Sequence, residues 1–170
     1  RRAARMLGIA LHLDRTNRDA VITNAQLKRY ERAYEVLTPL RAARRKGSPE
    51  AKLLLWLYER LGQASFRAGR RKEAAKHFAA ARSLGGDEVV ENNLLAARWP
   101  ARGQRYEKRW SELSRSVNDA LFNYAVALDH AGRHKEAWSA YSRYARGGGA
   151  HAEKAREVAD AKARIFGFSK

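Results

Sequence analysis

The chain contains no cysteine. Disulfides, thiolate zinc sites and a cysteine nucleophile are therefore excluded, while cytoplasmic and periplasmic locations both stay open. Proline is almost as scarce, with only Pro39, Pro49 and Pro100 in 170 residues. So few helix breakers make long helices the default reading. β-branched residues are sparse, and Val and Ile never alternate with polar residues over the length of a strand. Long apolar runs are missing as well. The longest, Leu53 to Tyr58, falls far short of the roughly 20 residues that span a bilayer, and no secretory signal pattern occurs in this stretch. Acidic residues are few beside basic ones, 18 against 35, for a formal net charge of +17. GC-rich coding sequence and selection for an acidic partner explain this balance equally well. Non-specific attraction to polyanions is expected in either case.

What is present suffices for a folded domain. Apolar residues make up 45% of the chain, including four Trp, seven Tyr and five Phe, enough to bury a core. Apolar residues recur at three- and four-residue steps, which predicts an all-α fold. Breaks are expected at Arg15–Asn17, Gly47–Pro49, Gly69–Arg70, Gly85–Asp87, Pro100–Gly103, Gly132–Arg133 and Gly147–Gly149. Each interval between them has the length of one helix, so the pattern predicts a chain of helical hairpins.

The hairpins repeat. With Leu55 counted as position 1, Tyr58, Leu61, Gly62, Gly69, Ala74, Phe78 and Ala81 fall at positions 4, 7, 8, 15, 20, 24 and 27, and Gly86 at 32. A second copy from Asn118 places Leu121, Tyr124, Ala125, Leu128, Gly132, Ala137 and Tyr141 at positions 4, 7, 8, 11, 15, 20 and 24, with Tyr144 at 27. The turns Gly69-Arg70-Arg71-Lys72-Glu73-Ala74 and Gly132-Arg133-His134-Lys135-Glu136-Ala137 are nearly the same sequence. This pattern resembles the tetratricopeptide repeat, in a style similar to proteins of GC-rich bacteria. The resemblance implies a right-handed solenoid of stacked α-α hairpins, about four repeats with terminal helices. Small Gly62 and Ala74 would let the paired helices approach, Gly69 would make the tight turn, and Phe78 would fill space against the following repeat.

Laid along the chain, the resemblance predicts one domain over residues 1–170. It divides into an entering helix or tail of an earlier repeat at 1–13, repeats at 14–48 and 49–86, an irregular repeat at 87–117, a repeat at 118–151, and a capping helix with tail at 152–170. The repeat at 14–48 is read as a short first helix (Ala20, Asn24, Leu27), a shortened turn near Lys28–Arg29, and a second helix with Ala33, Leu37 and Leu40. A start at Arg1 inside such a tail is expected of a segment of a longer protein.

No catalytic constellation stands out. His130 and His134 flank Gly132 at a hairpin turn and are read as exposed turn histidines, not as a metal pair on one helix. Gly147-Gly148-Gly149 lacks the Lys-Ser/Thr of a phosphate loop and is read as a helix end. The expectation is a non-enzymatic protein without cofactor or metal. In tetratricopeptide repeats the first helix of each hairpin lines a concave groove, and the resemblance places Trp56, Arg60, Gln63 and Arg67 of one copy there, with Phe122 and Asn123 of the other and Asn93 of the irregular repeat. An Asn amide both donates and accepts, which suits a peptide backbone, and Arg60 and Arg67 suit a ligand carboxylate. The clamp of chaperone-binding members is not reproduced, since Gln63 stands where Asn is needed.

The expected function is a protein-interaction scaffold for a peptide segment or acidic partner, of the kind found in bacterial envelope, secretion or pilus assembly. Two alternatives stay open. One is RNA binding, suggested by Arg98-Trp99, Arg105-Tyr106 and Arg109-Trp110, where rings would stack on bases beside phosphate-binding neighbours. The other is the regulatory segment of a larger protein. Self-association through exposed repeat ends is also compatible with the pattern.

Overall fold

The computed structural model of the chain describes residues 24–40, 46–99 and 103–168. The expected elements at 1–13 and the break at Arg15–Asn17 lie outside the described residues. Among those described there are eight helices and no strand: α1 (Asn24–Leu37), α2 (Pro49–Arg67), α3 (Arg71–Ser83), α4 (Glu88–Arg98), α5 (Gly103–Leu113), α6 (Asn118–His130), α7 (His134–Gly147) and α8 (Ala152–Phe166). The chain divides between Ala97 and Arg98 into two compact units.

In the first unit, α1 corrects the expected turn. The helix runs unbroken through Lys28 and Arg29, because nothing between Asn24 and Leu37 is a Gly or Pro that would end it. Tyr30, Ala33 and Leu37 are its buried face and meet Leu53, Leu54, Trp56, Leu57 and Leu61 of α2. The start of α2 is fixed by Ser48, whose Oγ accepts from the Ala51 N–H at 3.0 Å, and by Pro49 at the first turn, where its missing N–H costs nothing. The start of α4 is fixed in the same way by Asp87, whose carboxylate accepts from Val89 and Val90 at 3.0 and 3.2 Å. Between them, α3 lays Ala74, Phe78 and Ala81 into the interior. Phe78 packs with Ala74, Leu94 and Ala97, and full burial of such a ring is worth about 1.5–3 kcal/mol. A Cβ on Gly62 would stand 2.7 Å from the Phe78 ring. The glycine therefore makes room for the aromatic ring.

The second unit contains its own hairpin, α6 and α7, with α5 on one side and α8 on the other. Leu121, Ala125 and Leu128 of α6, Ala137, Ala140, Tyr141 and Tyr144 of α7, and Ala155 and Ala159 of α8 form its core.

The two hairpin turns are the same structure at atomic detail. Gly69 and Gly132 both have φ +75°, and each follows three matching backbone bonds: Ala68 N to Ala64 O and Ala131 N to Ala127 O, Gly69 N to Phe66 O and Gly132 N to Asp129 O, Arg70 N to Ser65 O and Arg133 N to Leu128 O. A left-handed glycine closing a helix in this manner satisfies carbonyls that would otherwise be orphaned. Arg70 and Arg133 then share one backbone geometry, φ/ψ −80/63° and −83/59°, and each Nε donates to the Glu three residues on at 2.7 Å.

Candidate partner-binding surface

On α2, the residues expected to face a partner form one connected row. Tyr30 of α1 meets Trp56 edge to face, with ring centroids 5.2 Å apart. The Arg60 guanidinium lies over the Trp56 ring at 5.6 Å, and Arg60 Nη1 donates to Gln63 Oε1 at 3.3 Å. The row changes character along the helix. Trp56 is 8% exposed and Arg60 3%, whereas Gln63 is half-buried and Arg67 exposed. Trp56 also carries a buried indole N–H without an acceptor, a group that costs about 1–3 kcal/mol to leave unpaired. Its place is thus the α1–α2 core, and the accessible part of the row is Gln63 and Arg67, beside Phe66, which is half-buried against the cluster of Ala74, Phe78, Leu94 and Ala97. Phe66 in turn carries the Arg71 guanidinium 5.3 Å above its ring. On α4, Asn93 is half-buried.

In the second unit, Phe122 is half-buried among Tyr141, Tyr144 and His151, at centroid distances of 5.7, 5.4 and 5.0 Å. Asn123 beside it is half-buried. The aromatic residues interleaved with arginine are placed differently from a base-stacking platform. Tyr106 is 8% exposed and Trp110 2%, and they contact each other at 6.3 Å. Arg109 bonds Glu112 at 2.8 Å, and Trp99 packs edge to face on His130 at 4.5 Å.

Two side-chain clusters escape a reading along the chain. At the end of α6, Asp129 accepts hydrogen bonds from Lys162 of α8 and from His134 Nδ1, the latter at 2.9 Å. Burial pushes the Asp129 carboxyl up, but the bonds from Lys162 and His134 outweigh it and hold it below the usual carboxylate range. Phe166 stacks on His134 at 4.6 Å and lies under the Lys162 ammonium. His134 is therefore a half-buried, bonded residue, in contrast to the exposed turn histidine expected. The 33-residue separation of Asp129 and Lys162 leaves no local signal.

The second cluster joins Tyr34, Tyr58 and His77 in the first unit, with centroids 5.4 to 6.4 Å apart. Burial lowers the His77 pKa despite Glu73 nearby, and burial together with Tyr34 pushes Tyr58 up to about 12. Beside it opens a shallow cavity of about 300 Å³ lined by Thr38, Lys46, Leu54, Tyr58, Ala80, Ser83 and Leu84. Its repeat positions give Tyr58 the signature of a packing residue, so the cavity leaves no mark in the pattern. Among the described residues, no three His, Asp or Glu side chains gather into a group able to hold a metal ion, and no helix is long and apolar enough to cross a membrane. Comparison of the chain with protein-family models, curated proteins and solved structures finds no match.

Proposed function

We propose that the chain is a helical-repeat scaffold of tetratricopeptide type that binds an acidic segment of another protein. The observation that carries this reading is the atomic duplication of the hairpin turn at Gly69 and Gly132, since a device repeated 63 residues apart in one chain is expected where hairpins stack in series. Within it, the C-terminal end of α2, with exposed Arg67 beside half-buried Gln63 and Phe66, is the surface assigned to the partner in the first unit, and the Phe122–Asn123 edge of α6 is its counterpart in the second. An arginine beside an aromatic ring and an amide can hold a carboxylate bidentately and a peptide carbonyl at once. The net charge of +17 adds long-range steering toward acidic ligands. Catalysis and a cofactor have no part in this reading.

The test is fluorescence anisotropy with a labelled peptide alternating Glu and Leu. The wild-type chain is expected to bind it in the micromolar range, and Arg67→Glu to weaken it about tenfold. Lys76→Glu on α3 changes the net charge equally and should leave affinity within about twofold. Equal losses from the two variants would remove the assigned surface, and absence of binding at low salt would remove the acidic-partner reading.

A further inference from the structure

The two hairpin turns share a backbone and differ in what their arginines hold. Arg133 is engaged on both sides within the second unit: Nε and Nη2 donate to Glu136, and Nη1 donates to Glu107 of α5. Arg70 has the same backbone geometry and the same first bond, from Nε to Glu73 at 2.7 Å. Yet neither of its Nη groups has a partner among the described residues. The neighbours of the two glutamates account for part of the difference. Glu73 turns its other oxygen toward His77, 3.8 Å away, whereas the second hairpin has Ala140 at the matching place, and Glu136 closes on Arg133 with both oxygens. The helix before each hairpin also matches, with Tyr30, Glu31, Tyr34 and Leu37 of α1 standing as Tyr106, Glu107, Trp110 and Leu113 of α5. Tyr30 and Leu37 are buried, as are Tyr106 and Leu113. Glu31 therefore has the register of Glu107, but it is exposed and not bonded to Arg70, whereas the Glu107 side chain keeps only 15% of its surface open.

We propose that the Arg70 guanidinium is a carboxylate-binding position, which takes a Glu side chain of an acidic partner segment where the second unit takes its own Glu107. On the protein-binding reading above, which this assignment presupposes, Arg70 joins Arg67 as a contact to the partner. Glu107 is an internal stand-in for the ligand, since it shows which group fits the outer edge of an arginine in this turn geometry. The Glu73 bond holds Arg70 by its Nε. The edge formed by the two Nη groups is left for an incoming carboxylate, which it can engage through two parallel bonds. The side chain is 52% exposed, so a partner can reach it. Around it stand exposed Arg67, Arg71 and Lys72, where the second turn has His130, His134 and Lys135. The first turn is thus the more basic of the two, and charge complementarity commits its occupant to an acidic segment.

The labelled peptide alternating Glu and Leu tests the assignment on the whole chain, with the second turn as internal control. Arg70→Gln is expected to weaken binding about fivefold, and Arg133→Gln, the same change in the same turn, to leave it within about twofold. Urea denaturation should reverse the order. Arg133→Gln and Glu107→Gln should lower the unfolding midpoint, whereas Arg70→Gln and Glu31→Gln should leave it nearly unchanged. A peptide with Gln in place of Glu should no longer distinguish Arg70→Gln from wild type. Affinity lost with Arg67→Glu but kept with Arg70→Gln overturns the assignment and leaves the partner surface on α2 standing, while absence of peptide binding by the wild type removes both. Equal losses from Arg70→Gln and Arg133→Gln would reduce the effect to attraction by net charge. Midpoints lowered alike by Glu31→Gln and Arg70→Gln would show Glu31 filling the position from within the chain, and either result overturns the proposal.

Discussion

Tyr144 occupies the repeat position held by Ala81 in the first hairpin, yet it is fully buried. An aromatic ring replacing a methyl group must displace something or find space left for it. The space is supplied by Gly149, where an added Cβ would stand 2.2 Å from the Tyr144 hydroxyl. The ring then earns new bonds: its Oη donates to Asp119 at 2.7 Å and accepts from the His151 N–H at 3.2 Å. Burial, with the Asp119 carboxylate beside it, pushes the phenol up to about 12, so it stays a neutral donor throughout the physiological range. Gly149→Ala is expected to cost about 1–3 kcal/mol in urea denaturation. In a Tyr144→Ala background the same substitution should cost at least about 1 kcal/mol less. Strictly additive costs would show that the glycine serves the turn and not the ring.

Helix α8 is fastened to the hairpin before it by the Asp129–Lys162 pair and the rings of His134 and Phe166. Because the Asp129 carboxyl is held below its ordinary range in the folded chain, the pair contributes stability above the unfolded carboxylate value near 3.9, and that contribution is lost as pH falls through and below it. Asp129→Asn should therefore destabilise the second unit by about 1–3 kcal/mol at neutral pH, and thermal unfolding curves of variant and wild type should converge below about pH 4. A difference that stays constant with pH would assign the effect to packing. This fastening also shows where sequence stops being informative. The hairpins α2–α3 and α6–α7 were legible because their turns rest on local devices, a left-handed glycine and an Arg–Glu bond three residues apart. The turn expected at Lys28–Arg29 came from the 34-residue period with no breaker residue behind it, and helix propensity prevailed. Trp56 and Arg60 were placed by repeat position on an accessible face. Their burial depends on neighbours such as Tyr30, which a register along one helix does not contain. Nothing along the chain links Lys162 to Asp129 until tertiary packing brings the two together.

Charge is the property of the molecule as a whole that invites a nucleic-acid reading, and burial decides how far that reading extends. At +17 the chain will attract any polyanion at low salt through release of counterions. Specificity for single strands needs more, namely rings that can reach the bases. Tyr106 and Trp110, two of the three candidate rings, are 8% and 2% exposed and serve the interior of the second unit. The third, Trp99, is half-buried against His130. With two of the three rings in the interior and Trp99 engaged by His130, RNA should be held mainly by phosphate contacts. Titration of labelled oligo-U, oligo-A and oligo-C is therefore expected to give affinities within about threefold of one another, all falling at least tenfold between about 50 and 200 mM salt. The Glu- and Leu-containing peptide, which offers carboxylates and apolar side chains to α2, should retain more of its binding over the same range, because its apolar contacts are not screened. A base preference that persists at physiological salt, with micromolar affinity, would reverse this ranking and make RNA the better ligand.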